Sequence, residues 1–214
     1  MKISTKKLVT LAMIAGLSLL MVAVVRIPVV LFLKYEPKDV IITVGGFLFG
    51  PMAAAAVSLV VGVLEMVTVS DTGWIGAVMN ILSTCCFACT ASLIYRKRRT
   101  LTGALIGLLA GSIAMIAAML LWNWLITPLY MGVSRAAVET MLLPYFLPFN
   151  ALKAGLNTAL TMLLYKPLVT GIRKAGLLPP RTQVKTGSKL GFYLLAAVLL
   201  ASGVLGVLAF RGIL

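Results

Sequence analysis

Long apolar runs that follow one another along the whole chain constrain its fold more than any other feature. A helix needs about 20 apolar residues to cross the hydrocarbon of a bilayer. A chain of 214 residues that is 61% hydrophobic has no interior large enough to hide so many apolar side chains. The sequence therefore predicts an all-α, polytopic membrane protein whose solvent is largely lipid. The predicted helices are Leu8–Val25, Val40–Phe49, Met52–Val69, Trp74–Tyr95, Leu101–Thr127, Leu143–Ile172 and Leu190–Phe210.

The charge of the chain lies between these runs. The formal net charge is +14, and the basic residues cluster at 2–7, 96–99 and 173–189. Loops rich in lysine and arginine stay on the cytoplasmic side, which predicts a cytoplasmic N-terminus and outer connectors at 26–39, 70–73 and 131–140. Such clusters favour the lipid bilayer as a partner and argue against nucleic acid. The predicted division is a six-helix membrane domain at 1–174, a basic cytoplasmic linker at 175–189 and an additional transmembrane helix at 190–214.

Two ionisable residues, Glu65 and Lys153, lie inside apolar runs, where a charge costs about 2.5–3.5 kcal/mol on insertion scales. Asn150 and Asn157 share one helical face with Lys153. Four of the predicted helices also carry a polar residue about five positions from their outer end, roughly 7–8 Å below the surface. These residues are Glu65, Asn80, Asn123 and Asn150. Such convergence predicts a small-ligand cavity that the connector 26–39 covers.

Other interpretations of the same residues stay open. Glu65 and Lys153 could form a structural ion pair, with the asparagines joining helices by hydrogen bonds. Trp122, Trp124 and Tyr130 could stack on a planar ligand or form an interfacial aromatic belt.

The remaining signals argue against an enzyme. The chain has no histidine and no Walker A loop, so neither a catalytic residue nor ATP hydrolysis is predicted. Cys85 and Cys89 share a face without charged neighbours, which favours packing over a metal site. Ala12 and Gly16 have the spacing that lets two helices approach closely, and both a partner contact and internal packing fit it.

Several short motifs, in this order and spacing, resemble one family of membrane proteins. The segment Leu33–Asp39 is followed by the Phe49-Gly50-Pro51 turn, and then by Gly73, Gly76 and Asn80 at fixed spacing. Asn123 with Pro128 and Tyr130, and Pro148, Asn150 and Lys153, complete the pattern. Over about 8–174 the chain resembles the riboflavin-specific substrate-binding (S) components of energy-coupling factor (ECF) transporters.

This resemblance implies a fold, a ligand and partners. The fold would be a six-helix S-component bundle in the plasma membrane of a prokaryote. The first outer loop, with Lys34, Tyr35 and Asp39, would gate a riboflavin or related flavin that Asn123, Asn150 and Lys153 bind. The motif of Ala12 and Gly16 would dock the transmembrane coupling subunit, which two ATPase subunits drive. Riboflavin would be the transported ligand, and no cofactor is implied.

Two features depart from the family pattern. Glu36 stands where the family has aspartate, and the seventh apolar run lies beyond the six-helix core. The alternatives are an S component for thiamin, biotin or pantothenate, and a non-transporting membrane scaffold.

Overall fold

The computed structural model describes residues 4–70, 72–177, 190–210 and 212. Helices dominate this part of the chain, and the strands are short. In chain order the elements are α1 (Thr5–Val24), β1 (Ile27–Val30), β2 (Leu33–Tyr35), α2 (Lys38–Phe49), α3 (Pro51–Thr68), α4 (Gly73–Lys97), α5 (Leu101–Met131), α6 (Arg135–Met141), a π-helical turn (Leu142–Phe146), α7 (Leu147–Lys174) and α8 (Leu190–Phe210).

The predicted outer connector 26–39 contains an antiparallel hairpin, which no pattern in the sequence indicated. Ile27 pairs with Tyr35, and Leu31 takes the left-handed conformation at the turn, with φ of 51°. The strands are too short for an alternating pattern to stand out in the sequence. We call the end of the bundle that carries this hairpin the hairpin end, and the opposite end, with the Arg96–Arg99 cluster, the basic end.

The fifth helix extends beyond its predicted end at Thr127. Pro128 lies inside α5, which ends three residues later at Met131 and is capped by Gly132, with φ of 66°. The Gly132 N–H bonds the Pro128 carbonyl, so the last turn is closed in spite of the proline. The polar connector that follows contains the short helix α6, which the side chain of Ser134 caps.

The long helices pack through small residues. α4 packs between α3 and α5, and α7 packs against α2, α5 and α8. A β-carbon added at Gly107 or Gly111 of α5 would lie only 2.6 or 2.5 Å from a carbonyl oxygen of α4. Glycine is therefore required where these two backbones approach.

Among the residues that the structure describes, four helices are long and apolar enough to cross a membrane: α1, α3, α4 and α5. α2 has only 12 residues, and α7 carries the polar face that the sequence predicts. α8 occupies the predicted seventh run and packs along α7, where Leu152 and Leu156 contact its Gly206 and Gly203. Most of the predicted linker 175–189 lies outside the described residues.

Candidate functional site

A cavity lies beneath the hairpin, between α4, α5 and α7. Its volume is about 40 Å³, which is room for a few water molecules. The lining combines hairpin residues with polar groups of the three helices, and it comprises Arg26, Phe32, Leu33, Lys34, Glu36, Thr72, Met79, Asn80, Ser83, Met119, Asn123, Phe149, Asn150 and Lys153.

Lys153 supplies a buried ammonium group to this cavity. Its side chain is held from two sides: Nζ lies 3.3 Å from Oδ2 of Asp39 on α2, and it donates to Oγ of Ser83 on α4 at 3.3 Å. The residue is 4% exposed. A buried ammonium needs such a countercharge, because desolvation otherwise favours its neutral form.

Asp39 is the centre of a fully buried hydrogen-bond network. Its carboxylate accepts from Thr84 Oγ1 at 2.6 Å and from Asn157 Nδ2 at 3.0 Å. Tyr35 of the hairpin donates to Oδ1 of the same asparagine at 3.2 Å. Burial, and next the Asp39 carboxylate, raise the pKa of the Tyr35 phenol well above its ordinary value, so this group stays a donor. The network thus joins the hairpin to α2, α4 and α7.

A second buried network holds the hairpin to α2, α3 and α4. Arg26 donates to Glu36 at 2.9 Å and to the Val69 carbonyl at the end of α3. Lys38 bonds Glu36 at 2.8 Å and also bonds Glu65, to which Asn80 donates at 2.8 Å. Hydrogen bonds of charged groups therefore hold both ends of the hairpin against the helices, through Arg26 at one end and Glu36 at the other.

The charge balance at Glu36 decides its protonation state. Burial alone would raise the pKa of this carboxyl. The ammonium of Lys38, helped by Lys153 and Arg26, outweighs burial and holds the pKa below its ordinary value. Glu36 is therefore ionised at neutral pH.

The two asparagines of the cavity wall are oriented by their own helices. Asn123 Nδ2 donates to the Met119 carbonyl at 2.7 Å, and Asn150 Nδ2 donates to the Phe146 carbonyl at 2.8 Å. The Asn123 side-chain carbonyl also accepts from Thr127 at 2.9 Å. An amide nitrogen carries two N–H groups, so each asparagine has a second N–H available for a ligand.

The predicted site residues divide into two groups. The cavity brings together Lys34, Asn80, Asn123, Asn150 and Lys153. Behind its wall, in the two networks, lie Tyr35, Asp39, Glu65 and Asn157. Their direct contact with a ligand remains a prediction. In the structure, Asp39 and Glu65 bond the lining residues Lys153 and Asn80, and Asn157 joins Tyr35 to Asp39.

The alternative interpretation, in which Glu65 and Lys153 form an ion pair with each other, is wrong. Glu65 pairs with Lys38, and Lys153 pairs with Asp39. Sequence reasoning missed Glu36 and Lys38 because charges beside Pro37 in a connector are the pattern of a solvated loop. No local signal separates them from exposed loop charges.

The aromatic residues near the cavity differ in their roles. Trp122 and Tyr130 line a smaller adjoining cleft together with Phe32, whose ring centroid lies 5.1 Å from that of Tyr130. Trp124 instead contacts α6, where it donates to Glu139 at 2.9 Å and Arg135 stacks on its ring. Two of the three predicted stacking residues are thus near the cavity.

Ala12 and Gly16 lie on the exposed surface of α1. No described atom outside the local helix lies within 4 Å of a β-carbon added at Gly16. This part of α1 is therefore open to another helix, and the internal-packing interpretation of the motif is wrong.

Comparisons with known proteins bear on the family and the fold of the chain. The profile of the family described as ECF transporter, substrate-specific component, matches residues 6–165. The riboflavin transporter FmnP of Bacillus subtilis (strain 168) is 27% identical over 156 residues, which are 67% of this chain and 82% of that protein. The riboflavin transporter RibU of Staphylococcus aureus (strain TCH60) is 25% identical over 179 residues, 79% of this chain and 93% of that one. A solved structure, described as the S component of a bacterial ECF transporter, superposes with a TM-score of 0.67 at 25% identity, covering 78% of this chain and 98% of that one.

Proposed function

We propose that this chain, which belongs to the family of ECF transporter substrate-specific components, captures riboflavin beneath its hairpin for import. The S-component fold predicted from the sequence is confirmed. Its family of membrane transporters and its apolar helices place the chain in the plasma membrane. The two curated relatives are riboflavin transporters by name.

The observation that carries the proposal is the buried ammonium of Lys153 beside two oriented amides. Riboflavin has a planar apolar ring system with carbonyl oxygens and ring nitrogens on one edge, and a hydroxylated ribityl chain. Lys153 and the second N–H groups of Asn123 and Asn150 supply donors for these acceptors. Met119 and Phe149 supply apolar walls for the ring. A few polar groups converging on apolar walls are typical of small-molecule sites.

The hairpin acts as a gate in this proposal. Ligand pockets for molecules of this size are about 300–1,000 Å³, and the cavity is about 40 Å³. The hairpin carries Phe32, Leu33 and Lys34 of the lining, so its movement away from the helices enlarges the space most directly. Opening requires that the hydrogen bonds of Arg26 to the Val69 carbonyl and of Tyr35 to Asn157 break.

Transport needs partners in addition to this chain. The basic end faces the cytoplasm in our proposal, with the N-terminus inside, as the lysine and arginine clusters predict. The exposed strip at Ala12 and Gly16 docks the transmembrane coupling subunit, and two ATPase subunits supply the energy. The chain itself performs no catalysis in this scheme.

Ligand titration of the detergent-purified chain tests the proposal. Trp122 borders the cleft beside the cavity, so riboflavin should quench tryptophan fluorescence with a dissociation constant below the micromolar range. Lys153→Met should weaken binding about 10- to 100-fold, since a hydrogen bond to a charged group contributes about 1.5–3 kcal/mol. Lys166→Met is the matched control, because Lys166 lies on the same helix and is exposed.

The outcomes separate the alternatives. Tight binding of thiamin, biotin or pantothenate without binding of riboflavin would assign the chain to another vitamin. Absence of binding by all four would favour a non-transporting scaffold. Equal binding by the Lys153→Met and Lys166→Met proteins would remove Lys153 from the site.

A further inference from the structure

A second cavity lies at the basic end, on the opposite side of the membrane from the hairpin. Its volume is about 470 Å³, and it lies between the start of α1, the turn joining α2 to α3, and the end of α4. It shares no residue with the cavity beneath the hairpin. Nothing in the proposed capture of riboflavin uses it.

Three cations from two separate segments line this cavity: Lys7, Arg96 and Arg99. The four acidic residues that the structure describes are Glu36, Asp39, Glu65 and Glu139, and all belong to the hairpin end. In the described part of the chain, no carboxylate therefore neutralises these three cations. The charge of the lining therefore favours an anionic ligand.

The rest of the lining is apolar and opens toward lipid. Leu11, Phe47 and Phe49 form part of the wall, and Met52 at the rim is 80% exposed. Ala56 lies one turn further along the exposed face of α3. Residues four apart on a helix share a face, so Met52 and Ala56 form a continuous apolar track from the cations toward the membrane interior.

The wall of the cavity is fixed by an aromatic cluster. The ring of Phe47 lies 4.4 Å from that of Tyr95 and 5.9 Å from that of Tyr165, measured between centroids. The two tyrosine hydroxyls are hydrogen-bonded at 2.9 Å. Three helices thus hold one wall in place before any ligand binds.

We propose that this cavity binds one anionic phospholipid. Its phosphate contacts Lys7, Arg96 and Arg99, and an acyl chain follows Met52 and Ala56. A free phosphate would use the cations but would gain nothing from the apolar track. A zwitterionic lipid would use the track but would bring a second, cationic group to a site that already holds three cations.

Lipid binding to the purified full-length chain tests the proposal. The probe is dioleoylphosphatidylglycerol, compared with dioleoylphosphatidylcholine, and native mass spectrometry measures the fraction of chain that retains lipid. A basic residue near an anionic headgroup contributes about fivefold in affinity. The triple variant Lys7→Gln, Arg96→Gln, Arg99→Gln should therefore bind phosphatidylglycerol about 100-fold more weakly, while wild type should prefer this lipid over phosphatidylcholine.

A matched control removes the same number of charges from the same segments. Lys6, Lys97 and Arg98 neighbour the three cations in sequence and do not line the cavity. Their triple glutamine variant should change affinity less than about fivefold. Equal loss in both triple variants would overturn the proposal, because it would mean that diffuse surface charge attracts the lipid.

A second variant tests the cavity without changing its charge. Ala56→Phe fills the track at an exposed position where folding tolerates a larger side chain, and it should weaken phosphatidylglycerol binding about tenfold. Leu121→Phe, at an exposed position of α5 outside the cavity, should bind as wild type does. Unchanged binding by Ala56→Phe, or displacement of the lipid by millimolar inorganic phosphate, would overturn the proposed lipid site.

Discussion

The ion pair of Asp39 and Lys153 allows a quantitative prediction about the free energy of unfolding. Their charged atoms lie 3.3 Å apart, and their side chains are 0% and 6% exposed. At an effective dielectric constant of about 20, two unit charges at this distance attract each other by about 5 kcal/mol. Desolvation of both groups offsets much of this attraction, so the net contribution of the pair to stability is small.

Breaking the pair from one side is therefore far more costly than removing it. In Asp39→Ala, the ammonium of Lys153 keeps only its bond to Ser83, and Thr84 and Asn157 each lose an acceptor. We expect a loss of about 3–5 kcal/mol in the free energy of unfolding. Lys153→Met should cost less, about 1–3 kcal/mol, because the two neutral donors still bond the Asp39 carboxylate.

A double-mutant cycle measures the coupling directly. The free energy of unfolding of wild type, both single variants and the double variant is measured in mixed micelles by denaturant titration, followed by tryptophan fluorescence. The double variant should lose at least about 1.5 kcal/mol less than the sum of the two single losses. Additive losses, within about 0.5 kcal/mol, would refute the reasoning, since they would mean that the two charges do not interact.

Three further predictions concern the hairpin and the helix packing. Because the pKa of Glu36 is lowered from its ordinary value of 4.5, its stabilisation is fully present above pH 4.5 and is lost as the pH falls through the lower folded value. The thermal midpoint of Glu36→Gln should consequently be lower than that of wild type at pH 7, and below pH 4.5 it should change less with pH than the wild-type midpoint does. Parallel curves of thermal midpoint against pH for the two proteins would contradict this. Gly111→Ala should cost about 1–3 kcal/mol of stability, because its β-carbon would meet the Phe87 carbonyl oxygen at 2.5 Å. The control Gly155→Ala, which has open space around its β-carbon, should cost little. Equal losses of stability in the two variants would argue against the close approach of α4 and α5 at Gly111. Arg26→Gln should raise both the association and the release rates of riboflavin in stopped-flow fluorescence, since it weakens the hydrogen bond that holds the hairpin to the end of α3. A faster release without a faster association would mean that Arg26 contacts the ligand directly.

The cavity wall could be predicted from the sequence because helical geometry is local. Once Asn150 and Lys153 are assigned to one apolar helix, their shared face follows from the spacing. Their common depth with Asn80 and Asn123 follows from the rise per residue. Neither step requires knowledge of which helices are neighbours.

The ion-pair partners could not be predicted in this way. Glu65 bonds Lys38 across 27 positions of sequence, and Asn157 bonds Asp39 across 118. Such pairings depend on the order in which helices pack and on how deeply the hairpin enters the bundle. The role of Asp39 came from the family resemblance alone, and Lys38 had no signal at all.

Among the residues that the structure describes, three positive and three negative charges pair at the hairpin end, and all are buried except that of the half-buried Arg26. This balance has a functional consequence. The charges are those of Arg26, Lys38, Lys153, Glu36, Asp39 and Glu65. Apolar residues in their place would often give equal or greater stability, so stability does not explain why the chain has them. A cavity that must present an ammonium to a neutral ligand does require a carboxylate behind it, and Asp39 supplies this. The second network brings Glu36 from the hairpin against Lys38 of α2, the residue next to Asp39. We infer that the hairpin cannot lift without disturbing the charges that hold the ammonium in place, so its position and the affinity of the site are coupled.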